Sequence, residues 1–117
     1  MFKKFKFDYD SENDSLFLYN PKSKSKASIE MDDLIIDFDT NKEISGVEML
    51  NSTAFFKNLS EFKIGKNMLK KILDCKVEIT SKENFHIIKF MIIFESNQKI
   101  IAPMYIPTLE KSSLAVA

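Results

Sequence analysis

The chain of 117 residues has no tryptophan, one cysteine, one histidine, two glycines and three prolines. All 17 of its positive side chains are lysines, with no arginine, and 17 carboxylates balance them to a formal net charge of zero. Arginine supplies the planar fork that reads phosphates and guanine edges. Its absence lowers the expectation of nucleic-acid recognition and leaves lysine-only phosphate contacts. Cys75 cannot close an internal disulfide, which fits a reducing, cytoplasmic setting. His86 alone cannot furnish a multi-histidine metal site, and a triad would need it as base. Gly46 and Gly65 are too few for a phosphate-cradling loop or a nucleophile elbow. The longest apolar stretch, near Ile87–Phe94, contains Lys89 and is far too short to span a bilayer. Met1 to Lys6 carries the charge of a leader's first segment, but Asp8 and Asp10 stop any apolar run, so no leader is expected.

Apolar residues make up 44% of the chain and include 11 phenylalanines, enough for a packed core. One domain is expected over residues 1–109, with a flexible tail at 110–117. Phe5, Phe7 and Tyr9 alternate with polar residues as a strand with one wet face. Leu16–Tyr19 is a second strand, ended by Asn20-Pro21. Ala27–Phe38 reads as extended, with its apolar phase slipping at Asp32-Asp33, where a bulge or bend would return both sets to one face. Ile44–Leu50 follows, and Gly46 within it suggests a bulge or a close backbone approach. Ala54–Leu59 reads as a short helix with caps available at Asn51, Ser52 and Thr53. Ile64, Met68, Leu69, Ile72 and Leu73 recur at helical spacing, with Lys66, Lys70 and Lys71 on the opposite face. Val77–Thr80, Phe85–Phe94 and Ile100–Ile106 complete the strands, and Pro103 marks an edge. The fold expected is α+β: a mainly antiparallel, meander-like sheet of about six or seven strands, with one or two helices in the region 52–74.

The segment around Asn41 admits two readings. Counted from Asp37, oxygens at Asp37, Asp39, Asn41, Glu43 and Glu48 approach the spacing of a calcium-binding EF-hand loop. Lys42 stands where that loop needs glycine, and Leu34–Phe38 alternates as a strand where a helix is required. The hairpin, turning at Asp39-Thr40-Asn41-Lys42, is the reading adopted.

Phe7-Asp8-Tyr9-Asp10-Ser11-Glu12-Asn13-Asp14-Ser15-Leu16-Phe17-Leu18-Tyr19, followed by Ile35-Ile36-Asp37-Phe38-Asp39 and Ile44-Ser45-Gly46-Val47-Glu48-Met49-Leu50, resembles a small prokaryotic family catalogued as a domain of unknown function. The resemblance covers about residues 5–57. It implies a fold and supplies no catalytic residue. Lys42 replaces a glycine usual in that pattern, which implies a different turn.

Three functional readings follow. The leading one is a non-catalytic interaction module, a homo-oligomer such as a dimer, self-associating through Ile88, Phe90, Ile92 and Phe94 of the apolar C-terminal hairpin. The second is binding of nucleic acid or an acidic protein partner through Lys66, Lys70 and Lys71, as in the neutralising half of a toxin pair by analogy. The third is weak cation or small-ligand binding if Asp10, Asp14, Asp37 and Asp39 converge at adjacent turns. No catalytic residue and no cofactor is expected.

Overall fold

A computed structural model of the protein describes residues 1–59 and 63–107. The tail expected at 110–117 lies outside them. The described elements are β1 (Lys3–Asp10), β2 (Ser15–Tyr19), β3 (Ala27–Met31), β4 (Leu34–Phe38), β5 (Ile44–Met49), α1 (Ser52–Leu59), α2 (Lys66–Leu69), β6 (Ile72–Ser81), β7 (Phe85–Phe94) and β8 (Lys99–Pro107). All strand pairings are antiparallel, in one eight-stranded sheet of order β3-β4-β5-β2-β1-β6-β7-β8 that curls into a half-barrel. The α+β class and its antiparallel sheet are as the sequence predicts.

One strand more than expected arises at Asp32-Asp33. The extended segment 27–38 is a tight hairpin, in which Ile29 faces Ile36 and Met31 faces Leu34. Asp32 takes a left-handed φ of 53°, which carboxamide and carboxylate residues tolerate at turns. The phase slip is therefore a turn, and pairing brings both apolar sets to one face.

The helix expected at 64–73 is a single turn. Ile72 opens β6 opposite Phe94, and the Glu95 amide donates to the Lys71 carbonyl at 2.8 Å. Pairing with a ten-residue partner strand overrides a helical apolar pattern whose propensity is worth only tenths of a kcal/mol per residue. Leu73, predicted on the apolar helix face, sits in a bulge between Ile72 and Asp74 and is 59% exposed.

β1 belongs to both halves of the sheet. Its residues Lys3–Phe5 pair with β6, and Lys6–Asp10 pair with β2. The inner face carries Phe5, Leu16, Leu18, Leu34, Ile36, Val47, Met49, Cys75, Val77, Ile88, Phe90 and Ile92, all buried. Helix α1 lies over that face. Phe56 is fully buried, and the Phe55 ring meets Phe90 edge-on, with centroids 6.3 Å apart. Aromatic pairs of this geometry contribute about 0.5–1.5 kcal/mol beyond their burial.

The cap that holds α1 comes from the β1–β2 turn and not from the adjoining Asn51. Asp14, at φ 52°, accepts from the Thr53 amide (3.2 Å) and the Thr53 hydroxyl (2.6 Å). Its other oxygen accepts from the Tyr9 hydroxyl at 2.6 Å, and its carbonyl accepts the Ser52 amide at 2.8 Å. Burial works to raise the Asp14 carboxyl, but the Thr53 and Tyr9 hydrogen bonds, with Lys66 nearby, outweigh it and hold it below the ordinary carboxylate range. Burial and the Asp14 carboxylate push the Tyr9 phenol up, so it stays a donor.

Asp14→Ala should destabilise the fold by about 1–2 kcal/mol in urea unfolding at neutral pH, as loss of a cap does. A carboxyl lowered on folding contributes fully above its unfolded value and loses that contribution as pH falls through its folded value. The gap between wild type and Asp14→Ala should therefore narrow on acidification through that range.

Candidate functional site

The acidic candidates fall into two separate turns. Asp10 accepts from the Asn13 side chain (2.7 Å) and from the Glu12 and Asn13 amides (3.0 and 3.3 Å). The Asn13 side chain is the chief cause that its carboxyl lies below the ordinary range. Asp39 accepts from the Glu43 and Asn41 amides at 3.0 and 2.8 Å. The Glu43 amide is the largest cause of its lowered pKa; desolvation opposes it, and Asn41, Ser23 and Lys3 add to the lowering. Asp37 accepts from the Ser28 hydroxyl on β3. Tyr9 pairs with Leu16 beside the first turn, while Tyr19 pairs with Gly46 beside the second, so the length of β2 separates them. Asp10 and Asp14 thus sit at one end of the sheet and Asp37 and Asp39 toward the other; they do not converge. Among the described residues, no three His, Cys, Asp or Glu side chains gather to hold a metal ion.

The flanks of Asn41 are strands, as the hairpin reading predicts. Lys42 nevertheless takes φ 61°, the left-handed conformation that glycine adopts most readily. The turn that glycine would favour is kept, held by Asp39 through both its side chain and the 3.1 Å bond from the Lys42 amide to its carbonyl.

Lys66, Lys70 and Lys71 are exposed, but α2 ends at Leu69, so they occupy one helical turn and the turn after it. Cys75 is fully buried, and burial, with Asp74 adding, pushes its thiol up to about 12. It is a core side chain with no thiolate at neutral pH. His86, at the end of β7, lies 2.9 Å from the Ser81 hydroxyl through Nδ1.

The predicted self-association residues are corrected by the packing. Ile88, Phe90, Ile92 and Phe94 are at most 1% exposed, because they face α1 and the core. The opposite face of the same hairpin is open. Tyr105 is 65% exposed, Ile101 48% and Phe85 37%, beside half-buried Ile87, Met91 and Ile93. Register sets Ile87 against Tyr105 and Met91 against Ile101, and Lys89 against Glu78 and Pro103. The strip is apolar with interleaved charge. Phe85–Phe94 is apolar on both faces, so its pattern marks no covered side; the position of α1 decides it.

β8 is also an edge of the sheet. The Phe94 amide donates to the Gln98 carbonyl, so alternation directs the odd-numbered backbone groups of β8 outward. Pro103 is one of them, and its missing N–H blunts the edge.

A second surface escaped the sequence reading. On β2, Phe17 and Tyr19 stack on the outer face with centroids 5.2 Å apart. Phe17 lies between Asp8 of β1 and Glu48 of β5, and Tyr19 beside Gly46. A Cβ on Gly46 would stand 3.2 Å from Asp37 Oδ2, 3.3 Å from the Leu18 carbonyl and 3.4 Å from Phe17 Cε1. A side chain at this position would crowd the ring, the carboxylate and the Leu18 carbonyl, and glycine lets them lie close over the bare backbone. The lone strand glycine was the available signal.

Residues 6–52, spanning β1 to β5, match the family described as "Protein of unknown function (DUF2283)". A Methanosarcina mazei protein named "Putative hypoxanthine phosphoribosyltransferase" is 30% identical over 97 residues, 81% of this chain and 73% of that protein. The chain belongs to the DUF2283 family. A further relative, an uncharacterized protein of Methanocaldococcus jannaschii, is 43% identical over 67 residues, 57% of this chain and 57% of that protein's length. No solved structure matches. The DUF2283 match takes in the aromatic surface around Phe17 and stops before the C-terminal hairpin. Among the described residues, no helix is long and apolar enough to cross a membrane.

Two outcomes follow from these turns. Millimolar calcium should leave the melting temperature unchanged, since a cation bound only by the folded state would raise it. Lys42→Gly should stabilise the fold by about 0.5–1 kcal/mol in urea unfolding, by relieving a left-handed lysine.

Proposed function

We propose that this DUF2283 protein is a non-catalytic interaction module that self-associates through the outer face of β7 and β8. The observation that carries the reading is the apolar strip of Ile87, Met91, Ile93, Ile101 and Tyr105, left open on the side away from α1. Such a strip, interleaved with charges, is the composition of a contact surface more than of a wetted sheet face. The chemistry elsewhere agrees. The one thiol is protonated in the core, and the acidic turns spend their oxygens on their own backbone. The name carried by the Methanosarcina relative is not extended to this chain. Gly46 lies inside β5 and Gly65 precedes a one-turn helix, so neither belongs to a glycine-rich loop of the kind that wraps a phosphate.

Sedimentation of the wild-type protein from low to high micromolar concentration should show its mass rising above that of the monomer. Ile101→Glu should weaken this association at least about tenfold by placing a charge in the contact, with an unchanged circular-dichroism spectrum. A wild-type protein that stays monomeric at high micromolar concentration contradicts the reading.

A further inference from the structure

We infer that the surface receiving the β7–β8 strip of one copy is the aromatic, acidic face around Phe17 on the next copy, so that the chains associate head to tail. This rests on the self-association proposed above and identifies the counter-surface.

The outer face of the sheet changes sign across β1. On one side, register builds two rows across β1, β2, β5, β4 and β3. One row is Asp8, Phe17, Glu48, Ile35 and Glu30; the other is Lys6, Tyr19, Gly46, Asp37 and Ser28. Carboxylates predominate, and the stacked rings of Phe17 and Tyr19 stand among them. On the other side, Lys4 pairs with Lys76, and Lys89 and Lys99 follow along β7 and β8, against Asp74 and Glu78. The apolar strip runs between these lysines.

Two copies laid hairpin to hairpin would bring together faces on which Lys4, Lys76, Lys89 and Lys99 outnumber Asp74 and Glu78. A strip laid on the Phe17 surface sets lysine against carboxylate, and this complementarity selects the arrangement. The local chemistry matches too. At Gly46 the Phe17 ring and the Asp37 carboxylate lie close together over the strand. A lysine such as Lys89 can lay its methylene stem against that ring and bring its ammonium to Asp37 or Glu48. Because donor and acceptor surfaces differ, the contact is heterologous and does not close at a dimer unless a ring forms.

The test uses two full-length variants, Glu48→Lys on the acidic surface and Ile101→Glu on the hairpin, each checked for an unchanged urea midpoint. Sedimentation of the wild-type protein should show mass climbing past the dimer with concentration. Each variant alone should associate at least tenfold more weakly. An equimolar mixture should recover a one-to-one heterodimer, because the first variant keeps its hairpin and the second keeps its Phe17 surface. Should Glu48→Lys not fold, Phe17→Thr replaces it. If Glu48→Lys self-associates like the wild type, Ile101→Glu does not, and mixing recovers nothing, hairpin pairs with hairpin: this inference falls and the proposed function stands. A wild-type protein monomeric throughout overturns both.

Discussion

The Asp14 carboxylate ties three parts of the chain together. It takes hydrogen bonds from Tyr9 on β1 and from Thr53 at the start of α1, while its own residue forms the turn into β2. Without that anchor, α1 has eight residues, no acidic side chain in its first turn and too little length to persist on its own. With it, the helix is held where Phe55 and Phe56 cover the inner side of the half-barrel. Thr53 lies 39 positions from Asp14 in sequence, so the bond also ties the start of α1 to the β1–β2 turn.

Which side of the C-terminal strands is wet follows from this placement. β7 offers apolar residues on both faces, and one eight-residue helix can cover only one of them. The helix takes Ile88, Phe90 and Ile92 into the core. Ile87, Met91 and Ile93 then share a face with Ile101 and Tyr105 on the outside. β1, pairing with both halves, carries the curl and also marks the boundary where the outer face changes from carboxylate-rich to lysine-rich. The surfaces assigned to association are therefore consequences of how the core was closed.

Legibility in the sequence followed the range of the interactions involved. Period-two alternation around Phe5-Phe7-Tyr9 and Leu34-Ile36-Phe38 identified strands, because that pattern is imposed locally by the pleat. The hairpin at Asn41 was readable for the same reason, although left-handed Lys42 shows that a turn can be kept with an unfavourable residue when Asp39 holds it. The segment 64–73 misled because Ile64, Met68, Leu69 and Ile72 do fall on one helical face, while pairing with β7 claims Ile72 for the sheet. Ile88, Phe90, Ile92 and Phe94, expected at a contact, lie on the face of the hairpin that the core takes. That choice depends on α1, whose position is set by a contact between Asp14 and Thr53 that no local pattern announces. The Phe17 surface was hidden for a related reason: its mark in the sequence was Gly46, and the crowding at that glycine comes from Asp37 and Phe17 on neighbouring strands.

The division between a covered inner face and an outer face available for contact is tested most directly by isoleucine-methyl NMR with a soluble paramagnetic probe, at low and high protein concentration. Ile88, Ile92 and Ile100 should be protected at both concentrations, while Ile87, Ile93 and Ile101 should be broadened in dilute solution and become protected as concentration rises. Broadening of Ile88 and Ile92 in dilute solution, or outer-face methyls equally accessible at every concentration, would contradict it.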